Sequence, residues 1–556
     1  MTYLDRRSFL GYGTLAAAGL VAGGRFSLAA AQDVRGLANT AAVETTAGRI
    51  RGVVRFGVNQ FFGVPYGGST AGANRFMPPT TVTPWTGVRD TVQVRERSPQ
   101  DPGGPISEVF AMDRREPMGE DCLSINVFTP GLGRANPSTA LGAGRPVMVW
   151  LHGGGFSGGS GNWLLYDGTN LARKEDVVVV SVNHRLNLFG FLHLADLGGE
   201  RFANASNAGM QDLVAVLGWI KDNIANFGGN PGNVTVFGQS GGGGKVSTLM
   251  AMPSAKGLFH RAIAMSGSAF RGQTREAATR AAEQFLAKVG LNRNQLDQLQ
   301  QMPLDRLQQA FLSEPRIQGL AGGPVVDGTS LPRDQWAPTA PEYSADVPFM
   351  MGSTETEDGW NDPPPPLEMS DTEMMTRVRR IAGNDEAKAK QLVDLYRNTH
   401  AGITNTDVWL TMNTDNTRRA NAQALAELKT GQGKAPAFLY YFTWRSPVHN
   451  GQMKSYHTLD IPFALYNVDV AASMTGSGQD RYALAHAMSA TYAAFARTGT
   501  PNNPAIPNWP AFNTREYPTM VLGNNIRVAN DPNREERLAL KAIRDGARAT
   551  TTSSGQ

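Results

Sequence analysis

A serine hydroxyl is a weak nucleophile, and a chain that uses one surrounds it with small residues, an amide-lined hollow and a base. Two short segments of this chain have that character. Gly238-Gln239-Ser240-Gly241-Gly242 has the form G-x-S-x-G; it follows the apolar run Val234-Thr235-Val236-Phe237 and precedes a helix-forming stretch from Lys245 to Met252. A strand-to-helix turn that tight tolerates only small neighbours, which accounts for glycine two before and two after the serine, and it holds the hydroxyl above the sheet edge. The amides that follow open a helix, so partial positive charge points to where an oxyanion would form. The second segment, His152-Gly153-Gly154-Gly155-Phe156, follows the apolar run Pro146 to Leu151. Its glycines let backbone N–H groups turn inward without obstruction. Gly154, Gly155 and Gly241 are therefore the candidate oxyanion donors. A phosphate-cradling reading of the same glycines lacks the Gly-Lys-Ser/Thr sequel it needs.

The base and its orienting carboxylate lie further on. Of eight histidines, His457 in Ser455-Tyr456-His457-Thr458-Leu459-Asp460 follows the apolar run Phe438 to Trp444 and completes the order serine, acid, histidine. His449 is the nearby rival, while His152 fits better as support for the glycine loop. Gly352-Ser353-Thr354-Glu355-Thr356-Glu357-Asp358-Gly359 offers three carboxylates in four residues just beyond another apolar run. On residue type alone each of the three could orient a histidine.

These residues need a rigid frame. Pro146 to Leu151 and residues 177–182 are continuous apolar runs, as strands covered on both faces require. Between the second run and Val234 lies a stretch with helical periodicity in Leu213, Val216, Leu217 and Ile220. Strand, helix, strand predicts a mostly parallel, doubly wound α/β sheet. Arg261 to Met265, Pro348 to Met351 and Phe438 to Phe442 extend it, and alternating segments around Val43 to Val53 precede it as antiparallel strands. Two segments rich in helix formers, residues 274–343 and 369–434, are read as helical excursions walling the site from above. No repeat and no long polar linker divides residues 32–556 into further domains.

At these motifs the sequence resembles the carboxylesterase type B family, which includes bacterial para-nitrobenzyl esterases, animal carboxylesterases and cholinesterases. The resemblance covers nearly all of the chain after the first thirty residues. It extends to Gly63-Val64-Pro65-Tyr66, Arg75-Phe76, the block from Glu120 to Val127, Asn183-His184-Arg185-Leu186 and Asn230-Pro231-Gly232-Asn233-Val234-Thr235. It implies an α/β-hydrolase fold and a serine carboxylesterase: Ser240 attacks a small-molecule ester, His457 acts as base, and an acyl-enzyme is released by water, with no metal or organic cofactor. Counting from Gly352 puts the family's acid on Glu357, and counting back from Gly359 puts it on Asp358. The strand end anchors the first count, so Glu357 is preferred. Amides, carbamates or a bulky natural-product ester are alternatives for the same machinery. A non-catalytic adhesion module is a different alternative, disfavoured because all three triad positions are kept.

Departures from the family are informative. Many members bond the cysteine matching Cys122 to one just before a Pro-Gln pair, where this chain has Ser98; Cys122 should be a buried free thiol. No tryptophan lies between Ser98 and Cys122. The choline-binding ring that cholinesterases carry in that loop is thus missing, and choline esters are not the expected substrate. Gln239 stands where glutamate is frequent, and Gly241 where alanine is usual. Trp163 and Trp360 are candidate pocket walls.

Bulk properties exclude several other classes. Fifty-two basic residues against forty-eight acidic leave a formal charge of only +4 on 556 residues, too diffuse for nucleic-acid binding. A single cysteine rules out a disulfide framework or a cysteine-built zinc site. Arg6-Arg7 ahead of a short apolar run at residues 11–24, then Ala29-Ala30-Ala31, reads as a Tat-type signal over residues 1–31. The expectation is therefore a periplasmic or secreted protein with no membrane span.

Overall fold

The computed structural model describes residues 36–102, 116–133, 144–315, 322–360 and 365–553. The expected signal, residues 1–31, lies outside the described residues. Fifteen strands run in chain order: β1 (Ala38–Asn39), β2 (Val43–Thr45), β3 (Gly48–Arg51), β4 (Val53–Arg55), β5 (Val58–Pro65), β6 (Val88–Asp90), β7 (Ser124–Thr129), β8 (Arg145–Leu151), β9 (Val178–Val182), β10 (Gly229–Gln239), β11 (Arg261–Met265), β12 (Phe349–Thr354), β13 (Ala437–Phe442), β14 (Pro518–Leu522) and β15 (Arg527–Asn530). Twelve form one sheet in the order β1-β4-β5-β7-β9-β8-β10-β11-β12-β13-β14-β15, and β2, β3 and β6 form a small second one. From β9 to β14 every neighbour is parallel. The other strands of the large sheet pair antiparallel.

The apolar runs explain this arrangement. In β8, Val147, Val149 and Leu151 pack into one buried layer with Val178, Val180 and Val182 of β9 and with Leu213, Val216, Leu217 and Ile220 of the helix Ala208–Asn223. Met148 and Trp150 point the other way, into a layer with Phe237, Ile263 and the helix Asp480–Thr498. A strand covered on both faces must be apolar at every position, and that is what its sequence shows. From β8 the chain passes to β9 on one side, then crosses back over β8 to β10. Connections leaving adjacent strands to opposite sides open a crevice at their carboxyl ends. The expected α/β-hydrolase sheet is thus present, and the glycine loop and Ser240 both stand at that crevice.

Three features exceed the sequence reading. The sheet continues past Phe442 through β14 and β15. The helix after Ser240 spans Gly241–Leu249, starting four residues before Lys245, so that all four glycines are helical. Parts of each excursion form packing clusters of their own, while Leu331 and Trp336 of the first and Ala422, Leu425 and Ala426 of the second join the core of the sheet. Helices Arg275–Lys288, Leu296–Gln301 and Leu304–Leu312 contribute to a cluster with Phe76, Leu188, Phe189 and Phe202. Helices Asp371–Ile381, Glu386–Thr399 and Asn405–Asn416 pack around Tyr396 together with Leu540 near the C-terminus. Among the described residues no helix is long and apolar enough to cross a membrane.

Candidate active site

Ser240 has φ 56° and ψ −122°, a conformation that L residues adopt only under constraint and that costs on the order of 1–3 kcal/mol. The constraint comes from both sides. A Cβ on Gly238 would lie 2.5 Å from the Leu151 carbonyl oxygen, and one on Gly242 2.0 Å from the same atom. Glycine at both positions lets β10, the turn and the helix close onto the end of β8. The Ser240 N–H donates to the Met265 carbonyl of β11 at 2.8 Å, which pins the elbow to the sheet.

Register brings the glycine loop alongside. Gly238 of β10 pairs with Leu151 of β8, so the loop beginning at His152 emerges next to the elbow. Gly154 and Gly155 have positive φ (86° and 62°) and are exposed. Among the described residues their N–H groups, and that of Gly241, donate to no protein acceptor. The loop is fixed from behind by buried polar side chains. Gln100 exchanges hydrogen bonds with Gly159 through both amide atoms (2.9 and 2.7 Å), and Asn183 Oδ1 accepts from the Gly161 N–H at 2.7 Å. Asn187 donates to the carbonyls of Pro99 and Ser157, and Lys245 Nζ donates to that of His152 at 2.9 Å. Gln308 of the first excursion hydrogen-bonds the Gln100 carbonyl, so that excursion reaches the site through Gln100.

Of the three carboxylates in the acidic turn, Glu357 is the one that meets His457. It is buried, and its Oε2 hydrogen-bonds Nδ1 of buried His457; its Oε1 accepts from the Thr354 N–H at 3.0 Å. The His457 N–H donates to the Glu357 carbonyl at 3.1 Å, and the Glu357 N–H donates to Thr414 Oγ1 at 2.9 Å. The neighbouring carboxylates turn elsewhere. Asp358 accepts from Asn413 and lines a cavity of about 350 Å³ with Ser266, Thr417 and Arg418; Glu355 pairs with Arg445. His449 is exposed, and His152 is buried behind the glycine loop against His184.

Burial works to raise the Glu357 carboxyl, but His457 and then Arg418, whose Nε lies 3.7 Å away, outweigh it and hold the acid below the ordinary glutamate range. Burial and then the Arg418 charge push the His457 imidazole below its usual value, with Glu357 opposing them. A neutral ring with its proton on Nδ1 can accept another on Nε2. The Gln239 amide nitrogen lies 3.2 and 3.3 Å from the two ring nitrogens. Near-equal distances place that amide across the ring and not along one lone pair. Trp360 stacks at 6.1 Å between centroids. Ser240 follows Gln239 directly in the chain, and among the described residues its Oγ has no hydrogen-bond partner. Such contacts often tighten only in the substrate complex.

Comparison with known proteins settles the kinship. The carboxylesterase family profile matches residues 39–540. Para-nitrobenzyl esterase of Bacillus subtilis is 34% identical over 508 residues, covering 90% of this chain and 98% of that protein. The chain belongs to the carboxylesterase family. It is a carboxylic-ester hydrolase of the serine type, with the α/β-hydrolase fold. Phenmedipham hydrolase of Pseudarthrobacter oxydans is 30% identical over 515 residues, covering 90% of this carboxylesterase and 98% of that protein. A solved esterase from Clostridium hathewayi, described as able to hydrolyse aliphatic aromatic polyesters, superposes with a TM-score of 0.80 at 32% identity, covering 91% of this chain and 99% of that one.

Cys122 is the expected buried free thiol, which burial pushes up to about 12, and Trp360 stacks on His457. Trp163 instead packs in the core against Tyr166. Sequence reasoning missed Thr414, Arg418 and Lys245, which touch the acid and the loop from distant points of the chain; residue type and local pattern carry no signal for them.

Proposed function

We propose that Ser240 is the nucleophile, His457 the general base and acid, and Glu357 the carboxylate that orients it. Ser240 Oγ attacks the ester carbonyl carbon while its proton passes to His457 Nε2, and the carbonyl electron pair moves onto oxygen. The N–H groups of Gly154, Gly155 and Gly241 receive that oxyanion. Collapse breaks the ester C–O bond, the alcohol leaves with the proton from His457, and an acyl-serine remains. Water, deprotonated by the same ring, attacks the acyl-serine carbonyl; the bond to Ser240 Oγ breaks, the serine takes the proton back from His457, and the acid is released. The observation that carries this reading is the buried hydrogen bond from Glu357 to His457, whose ring also meets Gln239, the residue directly before a serine held at φ 56°.

The test is hydrolysis of para-nitrophenyl acetate, butyrate and palmitate by residues 32–556, with Ser240→Ala and His457→Ala alongside. Either substitution should lower kcat by about 10⁶-fold, the scale seen when a serine hydrolase loses its nucleophile or base. Turnover untouched by Ser240→Ala would overturn the assignment. We also propose export through the Tat pathway to the periplasm or medium, supported by Arg6-Arg7, the apolar run and the alanines before Gln32. Replacing both arginines by lysine should strand the uncleaved protein inside the cell, read by fractionation; unchanged export would refute it.

A further inference from the structure

Lys245 sits on the second turn of the helix that begins at Ser240, and none of its side chain reaches the surface. A buried ammonium ordinarily needs a carboxylate beside it. Here, among the described residues, no charged group acts on Lys245, and burial is the single influence on its titration. Its contacts are with the glycine loop. Nζ donates to the His152 carbonyl at 2.9 Å and lies 5.7 Å from the centroid of the Phe156 ring. His152 and His184 stack nearby at 5.0 Å, both held neutral by burial and then by the Lys245 charge. Arg185, next along the chain, is neutralised by Asp212 at 2.6 Å. An apolar side chain of similar length would fill this space without the electrostatic cost. The charge therefore calls for a use, and the loop it touches carries two of the three oxyanion donors.

We propose that Lys245 is a positioning residue of the oxyanion hole: its ammonium reaches from the nucleophile's helix to the His152 carbonyl, fixes the glycine loop against the elbow, and lends the hollow a positive charge that no carboxylate among the described residues cancels. The inference rests on the assignment of Gly154, Gly155 and Gly241 as oxyanion donors. A pH signature follows. Burial pushes Lys245 down to about 7, so the free enzyme loses the ammonium as pH rises through neutrality. An oxyanion in the hollow opposes that loss. Its binding is therefore full below about 7 and weakens above.

An aryl trifluoromethyl ketone tests this on the wild-type protein. Ser240 Oγ bonds to the ketone carbon, the carbonyl electron pair becomes an oxyanion, and the serine proton moves to His457. No proton is exchanged with solvent, so above the His457 titration the affinity depends on pH only if another group at the site titrates. Inhibition should weaken by about 3- to 10-fold between roughly pH 6.5 and 8.5. A flat profile with the Ser240 adduct formed would overturn the role of Lys245 and leave the oxyanion reading standing, whereas failure to form the adduct would overturn both. Lys245→Met should lower kcat about 10-fold with little change in KM and should abolish the alkaline weakening. A folded Met variant with wild-type kcat and wild-type pH response would sink the proposal.

Discussion

The two halves of the active site are built differently. Ser240 and its glycine loop follow directly from the ends of β10 and β8, adjacent parallel strands whose register places Gly238 opposite Leu151. Glu357 and His457 stand beyond the ends of β12 and β13 and are held by side chains from the helices Asn405–Asn416 and Arg418–Gly431. The nucleophile half is thus a property of the sheet, determined by a few neighbouring glycines and strand residues. The base half depends on polar side chains of the second excursion, whose last helix, Arg418–Gly431, shares a core cluster with Phe349 of β12 and Leu439 of β13 through Ala422, Leu425 and Ala426. Replacing the glycines or strand residues of the first should appear as misfolding, and removing the polar contacts of the second as altered catalysis in a folded protein.

The largest test of that contrast lies within the acidic turn. Glu357→Gln should leave the fold intact and lower kcat by about 10⁴-fold, the effect of removing the carboxylate that orients a catalytic histidine. Asp358→Asn should stay within a few-fold of wild type, because Asp358 faces Asn413 and the adjoining cavity and not His457. Kinetics on para-nitrophenyl butyrate decide between them. A large loss from Asp358→Asn with little from Glu357→Gln would reverse the assignment.

Thr414→Val probes the support from the excursion. Thr414 is buried, and its hydroxyl oxygen accepts the Glu357 N–H. Valine has nearly the same shape but leaves that N–H without a partner, which costs about 1–3 kcal/mol. The turn carrying the acid should loosen, lowering kcat by about 10- to 100-fold while the sheet remains folded. Urea unfolding and steady-state kinetics measure the two effects. If stability and rate both match wild type, the base half does not depend on the excursion.

The same contrast explains what the sequence reveals. The elbow and glycine loop are legible because their requirement, small residues directly after apolar runs, is local. The choice between Glu357 and Asp358 is not, since adjacent residues of a tight turn point in different directions and the partners that select one of them, Thr414 and Arg418, are supplied by a later segment. Lys245 reads as ordinary helix content until the loop carrying His152, 93 residues earlier, folds over it. The short strand β14 is equally hard to read: Pro-Thr-Met-Val-Leu follows a stretch dense in proline and asparagine, and only its pairing with β13 makes it a strand.

Arg418 gives the smallest expected effect and the finest test. Its guanidinium acts on both members of the base half, lowering the Glu357 carboxyl and the His457 ring. A cation disfavours a second positive charge nearby, so it keeps His457 unprotonated, and able to act as base, below the usual histidine range. Removing the charge with Arg418→Gln should let the ring hold its proton to higher pH. The acid limb of kcat/KM should move upward, costing activity on the acid side and little above neutrality. The Arg418 side chain is 37% exposed, so solvent and salt screen this influence, and added salt should move the wild-type limb in the same direction. An Arg418→Gln limb that stays in place, or moves to lower pH, would show that burial alone sets the base, and the excursion would then matter for geometry and not for charge.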